Sequence, residues 1–222
     1  SMAKYVPDLF HNRNATQDFL VSQTDDVIHE GKIEPPLSAL AADLPDLLDR
    51  KGLEKAIDAR MASVPNLCVL AIHIDRPRSA TSKKDPQQTV ATDPIVSLVK
   101  HPGAGKGIWG RMSPGRFACA LADLNDKSGQ ALAETLLASV RKTGNIDVTI
   151  GLSVYPTIHF TRGQTLVNAE KALDHGTFFG SGTITLFDAV SLNISGDRRY
   201  QTGNIEGAID EFKNGLLIDP TN

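Results

Sequence analysis

The chain alternates two spacings of apolar residues, and the spacings mark out its elements. In DLLDRKGLEKAIDARMA, starting at residue 46, Leu53, Ala56, Ile57 and Met61 recur three and four apart, as in a helix with one buried face. LCVLAIHI (67–74) is an unbroken apolar run rich in branched side chains, the pattern of a central strand covered on both faces. The polar, aperiodic stretch 76–92 predicts a long loop, and DPIVSLVKH predicts a short helix with Asp93 as cap and Pro94 in its first turn. GKGIWGRM and RFACALAD read as two strands joined by the tight turn Ser113-Pro114-Gly115. Leu132, Leu136 and Val140 place a helix over 128–142. VTIGLSVY is a further strand, and QTLVNAEKALDHG is a helix with Leu166, Ala169 and Leu173 inward. TITLFD closes the series as a strand. The order α-β-α-β-β-α-β-α-β predicts an α/β (α+β) fold, a central mixed sheet of ferredoxin-like parentage flanked by helices.

Two flanking regions differ. In residues 1–42, Asn14 is placed to cap a helix carrying Phe19, Leu20 and Ile28 to Gly31, before Pro35-Pro36 breaks the chain. This is expected to be a partly helical N-terminal extension. In residues 191–222, Gly196, Tyr200, Gly203, Ala208, Phe212, Gly215 and Pro220 stand at set offsets. Small residues where two helices touch, bulky ones between and a closing proline resemble one tetratricopeptide repeat, a helical hairpin that stacks on further copies. Ser1 ahead of Met2 reads as a cloning remnant, and a lone repeat cannot bury its own apolar face. The chain is therefore expected to be part of a longer one.

Composition narrows the classes. The 222 residues are 41% hydrophobic, and no run approaches the ~18 apolar residues of a membrane span. No secretory leader is legible, so Cys68 and Cys119, both in apolar runs, are expected as reduced, buried thiols of a cytoplasmic protein. A net charge of −3 and only 5% aromatic residues speak against nucleic-acid binding.

With these elements in order, residues 43–189 resemble the GGDEF domain of bacterial diguanylate cyclases. LPDLLDRKGL is similar to that family's "LTGLxNRRGF", and LCVLAIHID to its first strand, which ends in "DID". IWGRMSPGRFACAL is similar to "vaRyGGDEFavll", with Arg111 and Phe117 kept. VTIGLSV and NAEKALDHGTFFGSGTITLF are similar to "vTvSiGva" and "ADxALYxAKxxGRNxV". The resemblance implies a nucleotide-cyclase-type sheet and a nucleotide site at the hairpin, mapping onto His73, Asp75, Asp93, Ser113, Pro114, Gly115 and Arg116. Cyclases of this family join two GTP molecules with divalent metals held by carboxylates.

Here His73 stands at a metal-ligand position, and the hairpin carries Arg116 in place of an acid. Ser113 and Pro114 replace the glycines whose N–H groups approach phosphate. The family's phosphate-contacting lysine falls at Thr177, and its "RxxD" product site falls at 104–107, which lacks both charges. These departures lead to the expectation that the chain is not an enzyme and has no catalytic, metal or cofactor residues. It would instead serve as a docking module for protein partners, through the repeat or the GGDEF-like surface, in a bacterial signalling or scaffold protein. The alternative is a sensor that binds GTP or a cyclic dinucleotide without turnover.

Lesser readings add little. Arg76, Arg78, Lys83, Lys84 and Arg116 form either a phosphate-binding cluster or a solvated loop. GAGKG has the wrong spacing for a phosphate loop. His73 with His101 or His175 lacks the three converging ligands a metal site requires.

Overall fold

The computed structural model describes residues 44, 46–75, 94–142 and 146–222. The N-terminal extension with its expected helix, the loop 76–92 and Asp93 lie outside the described residues. The described residues belong to one compact unit.

The elements follow the predicted order, preceded by one short strand. They are β1 (Leu48–Asp49), α1 (Arg50–Arg60), β2 (Leu67–Asp75), α2 (Pro94–Val99), β3 (Ile108–Ser113), β4 (Arg116–Ala122), α3 (Asp126–Lys142), β5 (Asp147–Tyr155), α4 (Gln164–Gly176), β6 (Ile184–Leu186), α5 (Ala189–Gln201) and α6 (Ile205–Ile218). The six strands form one mixed sheet in the order β1-β3-β4-β2-β5-β6. Leu48 and Asp49, expected inside the first helix, instead pair in parallel with Gly110 and Arg111 of β3. The Asp49 carboxylate accepts from Gly52 N at 2.7 Å, so the helix starts at Arg50, directly after this cap and about one turn later than the apolar spacing places it.

Strand parity decides what each face meets. In β2, Cys68, Leu70, Ile72 and Ile74 join the core under α2 and α3, built with Ile95, Leu98, Ala133, Leu136 and Val140. Leu67, Val69 and Ala71 join the opposite core, with Leu53 and Ile57 of α1 and Leu166, Ala169 and Leu173 of α4. The described elements up to β6 thus form three layers, a sheet between two pairs of helices. The continuous apolar run of β2 reflects its place between β4 and β5, covered on both sides.

The same alternation positions the polar residues at the strand ends. His73 and Asp75 continue the odd positions of β2, and Arg116 continues the Ala118 and Ala120 series of β4. All three therefore belong to the face that carries α1 and α4. Thr149 and Gly151 of β5 take that face too, since Val148, Ile150 and Leu152 belong to the other core. The α4 backbone crosses the sheet at Gly151. A Cβ there would lie 2.1 Å from Leu173 N and 2.3 Å from Ala169 O.

Past β6, α5 and α6 form a helical hairpin turned through Thr202, Gly203 and Asn204, with Gly203 at φ 83°. Asp188 caps α5 through Ser191 N in a capping box, and Asn204 caps α6 through Gly207 N. The two helices interlock where Gly196 admits the Phe212 ring: a Cβ at Gly196 would lie 2.5 Å from Phe212 Cε1. Phe160, Ala172, Phe187 and Leu192, joined by Ile218, form a third apolar cluster between α4 and the hairpin.

Two outcomes follow from this packing. Gly151→Ala forces backbone apart rather than a flexible side chain, so a stability loss of about 1–3 kcal/mol is expected in urea unfolding. An unchanged midpoint would refute the close approach. Both cysteines are free and buried; burial pushes the Cys68 thiol up to about 12 and the Cys119 thiol well above its ordinary value. At pH 8 both remain protonated, so a thiol reagent should label neither in the folded protein and both in urea.

Candidate functional site

The hairpin tip is shaped by Pro114 and Gly115, the latter at φ 69°, a conformation that suits glycine. The ladder between β3 and β4 shifts register between Arg111 and Ser113, so Ser113 pairs with Arg116. Ile74 N donates to Gly115 O at 2.9 Å, and His73 pairs across to Arg116. His73, Ser113, Gly115 and Arg116 are thus brought together at one end of the sheet.

Asp75 lies two residues beyond His73 on the same face, with His73 Nε2 3.7 Å from its Oδ1. Its Oδ2 accepts from Thr149 Oγ1 at 2.7 Å and from Ser181 Oγ at 2.9 Å. Two hydroxyl donors on one oxygen fix the carboxylate's orientation. Asp75 also pairs in register with Asp147, which Arg141 holds through two contacts at 3.2 and 3.1 Å. Among the described residues no three His, Cys, Asp or Glu side chains converge as a metal site would require.

Arg116 is only partly exposed and is paired. Its Nη1 donates to Asp174 Oδ1 of α4 at 3.1 Å, and Arg198 Nη1 of α5 donates to the other oxygen, Oδ2, at 2.8 Å. One carboxylate is therefore shared by guanidinium groups from β4 and from the C-terminal hairpin. Neighbouring residues of α4 extend this edge. Arg50 of α1 forks onto Glu170, its Nη1 3.0 Å from Oε2. Lys171 Nζ donates to Glu211 Oε1 of α6 at 2.8 Å, and Arg199 Nη2 lies 3.5 Å from the same oxygen. His175 Nδ1 meets Ser191 Oγ of α5 at 3.1 Å. Thr177, the position where the resemblance expects a lysine, bonds its hydroxyl to Asp174 O at 2.7 Å and closes the helix end.

The His175, Ser191 and Asp188 cluster is not a nucleophilic triad. Asp188 Oδ1 is 3.6 Å from the same ring nitrogen that Ser191 uses, whereas a relay needs the acid on the opposite nitrogen. The GAGKG stretch is not a phosphate cradle either. Ala104 N and Gly105 N donate to His101 O, Gly107 N to Ala104 O and Gly103 N to His101 Nδ1, so these N–H groups are spent within the turn. Trp109 Nε1 adds a bond to Ala104 O at 3.1 Å, which anchors this turn on β3. A cleft of about 620 Å³ beside it is lined by Arg60, Lys100, Lys106 and Trp109, among others.

Asp174, Lys171, Arg198 and Glu211 escape a reading of the hairpin motif. The cue is in α4, where Glu170, Lys171, Asp174 and His175 form one polar stripe at spacings of three and four. The stripe does not name its partners, which lie 16 to 120 residues away in sequence.

Neither a protein-family model nor a curated protein sequence matches the chain. Solved structures do. The GGDEF domain of DgcB from Caulobacter crescentus in complex with c-di-GMP is 16% identical, covering 63% of this chain and 88% of that one, with TM-score 0.52. A microbial GGDEF domain described for its mode of interaction with cyclic di-GMP matches at 16% identity over 64% and 95%, also at 0.52. The active GGEEF domain of a diguanylate cyclase from Vibrio cholerae is 15% identical over 64% and 97%, with TM-score 0.48. The chain has the fold of a GGDEF domain.

This corrects the expectation that the chain is not an enzyme. The fold it shares with the matched GGDEF domains, one of them in complex with c-di-GMP, supplies no ground for excluding catalysis. The exclusion leaned on motif letters at His73, at Ser113, Pro114 and Arg116 of the hairpin, at Thr177 and at 104–107, and linear motifs cannot count carboxylates delivered by other elements. Asp75 stands at the end of β2, and Asp174 reaches the hairpin from α4.

The Lys171–Glu211 pair is almost fully buried, with Glu211 only 5% exposed and its Oε2 lacking a hydrogen bond among the described residues. Removing one partner leaves a buried charge, so Lys171→Met is expected to cost about 3–5 kcal/mol in urea unfolding. Lys171→Met with Glu211→Leu should recover most of that loss; equal losses in the single and double variants would refute the pairing.

Proposed function

We propose that this chain is a protein-interaction module of a bacterial signalling protein, a GGDEF-fold domain whose C-terminal hairpin opens a tetratricopeptide array. The reading is carried by one observation. The hairpin exposes large apolar side chains, Tyr200 at 63%, Leu217 at 59%, and with them Ile205, Ile209 and Leu216. Its small residues, Gly196, Ala208 and Gly215, are buried where the helices meet. That division of small inside and large outside suits a unit that stacks on another helix pair or receives a partner segment. On this reading the first domain spans 43–189 and the repeat 191–222, with the cytoplasm as working compartment. No helix of the described residues is long and apolar enough to cross a membrane.

A second reading, a sensor for GTP or a cyclic dinucleotide, draws on the Arg116–Asp174–Arg198 chain and on the c-di-GMP held by two of the matched domains. In it, His73, Asp75, Ser113, Pro114, Gly115 and Arg116 border the nucleotide. Calorimetric titration with GTP and c-di-GMP, with and without Mg²⁺, decides it: micromolar binding weakened by Arg116→Gln supports the sensor, and no heat with either ligand removes it.

The leading reading predicts that proteins captured from a bacterial lysate by the wild-type chain are lost with Tyr200→Ser/Leu217→Ser. Mass spectrometry compares the two sets, with circular dichroism confirming that the variant is folded. Identical sets would overturn the assignment of this face.

A further inference from the structure

We infer that Arg116 and Arg198 together form an oxyanion site, suited to a phosphate-bearing ligand, which the Asp174 carboxylate fills as an internal surrogate. Both guanidinium groups lie within hydrogen-bond reach of one carboxylate, one on each oxygen. Each uses an Nη1 donor there, and a guanidinium carries five N–H groups in a fork that matches carboxylate and phosphate oxygens alike. Two positive groups against one negative leave the junction with an excess charge of +1. The neighbouring cations Lys171 and Arg199 both turn to Glu211 and not to Asp174.

The junction is reachable from solvent. The side chains of Arg116, Asp174 and Arg198 retain about a third, a quarter and a third of their exposure. Beside Asp174, a cavity of about 30 Å³ is lined by Lys171, Ser191, Ile194, Ser195 and Arg198. It is sized for a water molecule rather than a phosphate, so an anion enters by displacing the carboxylate and not by filling a vacancy. The carboxylate's hold is modest, since partly exposed ion pairs are weak and screened by salt.

The site joins elements that the sheet alone does not connect. Arg116 comes from the β3–β4 hairpin and Arg198 from α5, so an anion bridging the two would couple the hairpin tip to the C-terminal helical pair. The inference deepens the sensor reading by naming what occupies its arginines when no ligand is bound, and it does not depend on what docks on the outer face of the helical pair. Pyrophosphate binding without GTP or c-di-GMP binding would keep the anion site and remove the nucleotide sensor.

Calorimetric titration of the full chain with sodium pyrophosphate at constant ionic strength tests it. Asp174→Asn keeps the shape and removes the competing charge, so pyrophosphate should bind at least about fivefold tighter than to wild type. Adding Arg198→Gln to that variant should abolish the gain, as should Arg116→Gln. If Asp174→Asn binds no tighter, or if Arg198→Gln leaves its affinity unchanged, the shared site is wrong. Should Asp174→Asn fail to fold, Arg116→Gln and Arg198→Gln in the wild-type background must each weaken binding, and either one without effect overturns the proposal. Binding is read on the chain alone, so this test and the partner-capture test fail independently.

Discussion

The close crossing of α4 over Gly151 is the contact on which the rest of the structure depends. Leu173 N and Ala169 O stand where a side chain at residue 151 would be. The helix can therefore settle low on β5 and press Leu166, Ala169 and Leu173 into the core beneath it. A helix held this near has its other residues fixed as well. Its opposite side carries Ala172 into the cluster with Phe160, Phe187 and Leu192, and its polar edge is turned toward α1, the hairpin tip and the C-terminal helices. One missing Cβ thus sets the height of an element that touches almost every other part of this face.

Those polar contacts differ in weight. The Lys171–Glu211 pair is buried, so its partners depend on each other and its geometry specifies how α6 sits on α4. The Arg116–Asp174–Arg198 chain is partly exposed and worth much less as stabilisation. The contrast assigns different tasks. The buried pair fixes the C-terminal hairpin, while the exposed junction is open to competition from solutes. The two are three residues apart on one helix, so a rigid anchor stands directly beside an exchangeable contact.

Much of the fold was legible because burial imposes a period. The run Leu67–Ile74 announced a central strand, and the parity of β2, β4 and β5 already assigns His73, Asp75, Arg116 and Thr149 to one face. Leu48–Asp49 was placed inside the helix, because the apolar spacing downstream is the same wherever the first turn begins. The candidate site was legible only in part. Its strand-end and hairpin residues follow from local sequence, whereas Asp174, Ser181 and Arg198 reach it from elements whose docking depends on packing. Local pattern records which side chain must be polar and leaves open which partner will meet it.

This difference explains why a hairpin motif is a poor measure of what the site can do. An arginine at residue 116 placed alone on the face shared with α1 and α4 would be a charge against apolar residues such as Ala118 and Leu173. The structure answers it with a carboxylate from the last turn of α4, and answers that carboxylate with a second arginine. The hairpin residue, the α4 residue and the α5 residue thus form a single electrostatic set, and changing one alters the charge the other two must carry. The chemistry available at the tip belongs to that set. Its outer members, Arg116 and Arg198, stand 82 residues apart in sequence, and no five-letter segment contains it.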